Sequence, residues 1–138
     1  MTTDYQEPEA EVVPGVRLGL PASGPGSVAT YGRRLLGVVI DIAASYAIAA
    51  LLAGTATPGG WSTLVFLVET VVLLSLTGQT LGMAAVRVRV LSLSRGRIHA
   101  WWALIRQLLL LAMIPALVTD ADRRGLHDKA SGVVVVNA

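Results

Sequence analysis

In a chain of 138 residues, 54% are hydrophobic and only 14% are charged, where an ordinary soluble domain carries about 25% charged residues. That balance, with a mean hydropathy of +0.65, argues against a water-soluble domain and makes lipid the expected solvent. No cysteine is present, which excludes disulfides, zinc–thiolate centres and thiol catalysis. The formal net charge of +2 is unevenly spread. Residues 1–30 hold Asp4, Glu7, Glu9 and Glu11 against Arg17, whereas residues 31–138 hold ten basic side chains against five acidic ones. Clustered arginine in so apolar a chain, with few aromatics between, marks cytoplasmic membrane flanks rather than a nucleic-acid surface. No nucleic-acid partner is expected.

Residues 1–30 carry four prolines and four glycines and lack the basic head and apolar core of a cleavable signal peptide. They read as a disordered Pro/Gly-rich tail, leaving residues 31–138 as the transmembrane domain. Leu35–Ala53 is a nineteen-residue run with one charge, about 28 Å of helix against roughly 30 Å of hydrocarbon. Thr30 can cap its start, and "GTATPGG" (54–60) ends it. Trp61–Leu76 is a second span, with Trp61 as an interfacial anchor and Glu69 as its only charge. The short uncharged loop between the two spans predicts an antiparallel hairpin.

The run "GQTLGM" (78–83) terminates the second span. Beyond it Val86, Val88 and Val90 alternate with Arg87 and Arg89, the period of a half-buried strand, and Ser94–Arg95–Gly96 reads as a turn. "GVVVV" (132–136) is a second β-branched run that can pair with the first, giving a small sheet at the membrane surface. Ala100–Val118 is apolar, with Trp101 and Trp102 suited to the interface. It carries Arg106 and Gln107 in its first half and Pro115 near its end. The loop at 54–60 has no Lys or Arg, whereas the next has Arg87, Arg89, Arg95 and Arg97, which puts the N-terminus and the second loop in the cytoplasm. The tail, with Arg123, Arg124 and Lys129, is also basic and stays inside if the third segment does not cross. The expected fold is an all-α membrane protein: a helical hairpin plus a third kinked or re-entrant hydrophobic helix, with a small cytoplasmic β element.

Charges inside the spans need partners, since an aspartate costs about 2.5–3.5 kcal/mol at the centre of a membrane helix. Arg34 and Asp41, seven residues apart, share one face of the first helix. Gly37 and Ser45 lie on the same stripe, where small residues admit a neighbouring helix. Folding the hairpin brings Asp41 and Glu69 to similar depth, and Arg106 enters from the same side. The expectation is a charge cluster in which Asp41 and Glu69 pair with Arg34 and Arg106. In the tail, Asp122 or Asp128 reads as a turn cap on a surface segment whose arginines meet anionic headgroups. His127 and His99 lie in different segments and form no metal site. No serine or cysteine nucleophile is evident. No cofactor is expected, and the chain is not read as an enzyme.

The stretches "RRLLGVVID", "TGQTLGMAAVRVRV", "LIRQLLL" and "DRRGLHDKASGVVVV" stand in the order and spacing of RDD-family membrane proteins. The match covers residues 17–138, and the stretch "LGLPASGPGSVATYGRRLL" resembles the actinobacterial members in particular. The resemblance implies an integral membrane protein with several membrane segments. Biochemical function within the family is mostly unassigned, and some members have been linked to sodium–proton antiport. By motif, the arginine and two aspartates that name the family correspond to Arg34, Asp41 and Asp128, with Arg33 as an alternative for the first. Gly78, Thr80 and Gly82 form the turn motif, followed here by Met83 where the usual pattern has a basic residue.

Two functions follow from this reading. The first is a non-catalytic accessory or scaffold protein, multi-pass in the cell membrane with a cytoplasmic N-terminus. Its partners would be the lipid bilayer, anionic headgroups at the basic face, and a homo-oligomer or larger membrane complex. The alternative is a cation (sodium)/proton antiporter or transport component acting as an oligomer, with Asp41 and Glu69 sharing a proton as closely spaced carboxylates can.

Overall fold

Long apolar stretches without internal glycine–proline breaks form continuous helices, and two of them dominate the chain. α1 (Tyr31–Ala53) and α2 (Gly60–Thr77) are each long and apolar enough to cross a membrane. The computed structural model describes residues 12–55, 57–93, 98–112 and 122–138. Thr30 holds the N-cap position of α1, although its hydroxyl makes no capping bond. Gly54 ends the helix in the left-handed region (φ 63°), its N–H donating to the Ala50 carbonyl, a conformation that glycine adopts without penalty.

The distribution of side chains on these helices is the reverse of that in a soluble protein. α1 buries Gly37, Asp41, Ser45 and Ala49, one residue per turn, on the side that packs against α2 and the short helix that follows it. Its large apolar side chains point outward, Leu35, Val39, Ile42 and Leu51 among them, and Leu51 is 83% exposed. α2 buries Phe66, Thr70 and Leu74 and exposes Leu64, Val68, Val72 and Leu76. An apolar exterior around a small and polar seam is the arrangement that lipid favours, since hydrocarbon provides no driving force to hide leucine.

After Gly78 the elements shorten: α3 (Leu81–Ala85), β1 (Val88–Ser92), α4 (Ala100–Leu111), α5 (Leu126–Ala130) and β2 (Val133–Asn137). β1 and β2 pair antiparallel with Val90 opposite Val135, as the valine alternation and the β-branched run predict. This register directs Val88, Val90, Val133 and Val135 toward Leu74, Met83 and Ala103. Val134 and Val136 face the other way. β1 is tied to the end of α2, because Val90 N donates to the Gly78 carbonyl (2.8 Å) and Gln79 Nε2 donates to the Val88 carbonyl (3.1 Å).

The expected disordered tail over residues 1–30 is corrected for its described part. Gly26 N donates to Asn137 O, Asn137 N to Ser27 O, and Ala29 N to Val135 O, all at 2.8–2.9 Å. Val28 bridges to Val136, so residues 26–29 run along the free edge of β2. Nearer the N-terminus a single 3₁₀ turn, Val16–Leu18, is pinned to the C-terminal region. Asp122 accepts a bond from Gly15 N at 3.1 Å and pairs with Arg17 at 3.5 Å. The physical reason lies in β2, whose four valines are all buried. The helices cover one face of the sheet, and Leu20 with Val28 covers the other. The expected turn at Ser94–Arg95–Gly96, the interruption at Pro115 and the acids of residues 1–11 lie outside the described residues. The third hydrophobic segment, expected to reach Val118, is described as α4 to Leu111.

Candidate functional site

The stretch "GQTLG" (78–82) folds as a sequence of four local devices. Gly78, at φ 75°, ends α2 and donates to the Leu74 carbonyl at 2.9 Å. Gln79 completes the edge of β1. Thr80 is the N-cap of α3, its hydroxyl accepting from Met83 N at 3.2 Å. Gly82 lies against α1: a Cβ there would overlap the Gly37 carbonyl oxygen. This close approach presents the turn to Asp41, which is only 3% exposed. Thr80 Oγ1 donates to Asp41 Oδ2, and Gly82 N donates to Asp41 Oδ1 at 2.6 Å. Thr80 therefore accepts from α3 and donates to α1 at once, which a hydroxyl can do.

A second constellation is built around Asp128, which is fully buried (0% exposed) on α5. Arg106 of α4 donates from Nε to Asp128 Oδ1 at 2.9 Å, and Arg34 of α1 donates from Nη1 to Asp128 Oδ2 at 3.2 Å. Arg34 also donates from Nη2 to the Val135 carbonyl at 3.2 Å. One carboxylate thus holds two guanidinium groups and joins α1, α4, α5 and β2. Arg33, the alternative to Arg34, is exposed and donates to Asn137 Oδ1 at 3.1 Å; it does not enter this junction.

Glu69 occupies a third position, half-buried on α2, where it accepts from Ser45 Oγ at 2.9 Å. Ser45 is one turn beyond Asp41 on the same stripe, so the two carboxylates lie at neighbouring levels, as the hairpin predicts. Gln107, 1% exposed beside Arg106, has an Oε1 that meets no donor among the described residues. Among the described residues no group of three or more His, Asp or Glu side chains could hold a metal ion.

These contacts correct the expected pairing. Asp41 and Glu69 do not pair with Arg34 and Arg106; hydroxyl and backbone donors serve the two acids, and Asp128 takes both arginines. Asp128 is correspondingly not a surface turn cap. Helical spacing explains the difference. Arg34 shares a face with Asp41 but lies nearly two turns away, about 10 Å along the axis. Its guanidinium instead meets the tail segment, which returns to the start of α1. The level of Asp41 is filled by α3, a five-residue helix inside what the sequence presented as a loop. The signal that could have identified it is Thr80, a good N-cap residue followed by helix-compatible Leu-Gly-Met-Ala-Ala.

Two span-length helices with apolar exteriors, a polar and small seam between them, and charged groups paired inside the fold define a membrane protein with candidate transmembrane helices. A model of the RDD family matches residues 28–132, and the chain belongs to that family. No curated protein and no solved structure matches it.

Proposed function

We propose that this protein is a non-catalytic, multi-pass component of the cell membrane that acts as an accessory or scaffold subunit, with its N-terminus, sheet and tail in the cytoplasm. The observation that carries this reading is the Asp128 junction, a buried carboxylate closed by arginines from two helices. Removing one partner of such a junction strands the others, so it holds the tail in one arrangement on the hairpin. Its donors and acceptor are turned toward one another, which suits a structural lock better than a catalytic group.

The topology is supported by strand pairing. Residues 26–29 and β1 both bond to β2, so the chain enters α1 and leaves α2 on one side. The segment between β1 and β2 also begins and ends there. α4, at twelve residues, spans about 18 Å, short of the roughly 30 Å hydrocarbon core. A re-entrant third segment fits both facts. Arg87 just before β1 and Arg89 within it favour the cytoplasm for this side.

Two experiments test the proposal. With Lys129→Cys, an impermeant thiol reagent applied to intact cells should label the protein only after the membrane is opened; labelling from outside would refute the topology. In proteoliposomes, adding sodium should leave an imposed pH gradient unchanged. A sodium-driven collapse that Asp41→Asn abolishes would replace the accessory role with transport.

A further inference from the structure

α4 and α5 border a shallow, open groove of about 410 Å³ lined by Leu109, Leu126, Ala130 and Lys129. Three of these residues present hydrocarbon, and Leu126 is exposed. Lys129 adds an ammonium group on an exposed position. Residues 122–130 carry Arg123, Arg124 and Lys129 against Asp122 and Asp128, a net charge of +1, and both acids are engaged by cations and donors elsewhere. Asp122 meets Arg17 and Gly15, and Asp128 meets Arg34 and Arg106. Because Asp128 immediately precedes Lys129, the buried junction also fixes the helix that carries the lysine.

We propose that this groove binds one anionic phospholipid, its acyl chain against Leu109, Leu126 and Ala130 and its phosphate at Lys129. An apolar trough bordered by a lysine is complementary to an anionic amphiphile, and a zwitterionic lipid would lose much of the headgroup attraction. The inference rests on α5 lying at the membrane surface, as in the topology above, but not on which side of the membrane that surface belongs to.

Native mass spectrometry of the full chain in detergent tests this, with phosphatidylglycerol and phosphatidylcholine offered in equal amounts. The wild-type protein should retain phosphatidylglycerol preferentially. Lys129→Gln should reduce that preference about fivefold, the effect of one basic side chain beside an anionic headgroup. Ala130→Trp should fill the trough and expel both lipids while the thermal melting of the protein stays unchanged. Equal retention of the two lipids by the wild type, an unaltered preference in Lys129→Gln, or full retention by Ala130→Trp would overturn the proposal. So would displacement of the lipid by inorganic phosphate, which would assign the site to a free anion. Cysteine labelling at position 129 reads sidedness separately, so the two readings can fail independently.

Discussion

Gly82 and Gly37 face each other across the α1–α3 contact, yet methyl groups at the two positions should behave oppositely. A Cβ on Gly82 would stand 2.8 Å from the Gly37 carbonyl carbon and 3.0 Å from Asp41 Cγ. Carbon atoms prefer about 3.5–4.0 Å, and a backbone carbonyl in mid-helix cannot rotate aside. α3 would therefore have to withdraw by about 1 Å. That movement would stretch the 2.6 Å bond from Gly82 N to Asp41 to the edge of hydrogen-bonding range. Overpacking alone costs about 1–3 kcal/mol, and loss of a bond to a charged group about 1.5–3 kcal/mol. Gly82→Ala should thus destabilise the fold by about 3–5 kcal/mol. A Cβ on Gly37 instead meets its nearest neighbours, the Gly82 carbonyl group and Val86 Cγ2, at 3.5 Å, an ordinary contact. Gly37→Ala should be neutral or stabilise α1 by up to about 1 kcal/mol through helix propensity. Thermal unfolding of the purified variants, followed by far-ultraviolet circular dichroism in one detergent, measures both. Equal melting of Gly82→Ala and wild type would refute the close approach of α3 to α1 and the capture of Asp41 that depends on it.

Other substitutions probe the remaining contacts. Asp128→Asn leaves two arginines facing a neutral group and should cost about 3–5 kcal/mol, read as lower accumulation and melting. In a double-mutant cycle with Arg106→Gln, the combined loss should be well below the sum of the single losses; additivity would mean that the pair does not interact. Thr80→Val removes the donor to Asp41 and the acceptor for Met83 N and should destabilise by about 2–3 kcal/mol, while Thr80→Ser restores most of it. Gly15→Ala places a side chain at φ 85° and within 2.5 Å of Val28 Cγ2, so it should loosen residues 12–29 alone. Limited proteolysis should then cut near Arg17 faster than in wild type, with the melting of the hairpin unmoved.

The seam between α1 and α2 shows how a bilayer changes the meaning of burial. Gly37, Asp41, Ser45 and Ala49 are interior because they are small or need partners, not because they avoid water. Among the described residues, the carboxylates in or beside the apolar helices have donors, although Glu69 Oε1 is left without one. Asp41 takes a hydroxyl and an amide, Glu69 a hydroxyl, and Asp128 two guanidinium groups. Unmatched groups at these positions would be expensive in hydrocarbon, which makes the donor arrangement a constraint on the fold.

Much of the architecture is carried by local pattern. Uninterrupted apolar runs bounded by glycine and proline specify α1 and α2, because helix length and hydropathy are properties of consecutive residues. The alternating valines of "VRVRV" and the run "VVVV" specify β1 and β2 for the same reason. The stripe Gly37–Asp41–Ser45 follows from helical period alone. Which acid meets which base does not follow from period. Arg34 and Asp128 are 94 residues apart in sequence, and their meeting depends on how the tail returns beneath the hairpin. Asp41 finds Thr80 and Gly82 because a five-residue helix, too short to have its own hydrophobic signature, fits against a glycine on α1. The order along residues 26–29 likewise arises only when β2 has two apolar faces to cover. Sequence determined the two long helices, the two strands and the charges that must be satisfied; tertiary packing chose the partners, because hydrogen bonds and ion pairs act over a few ångströms between segments whose meeting no local pattern encodes.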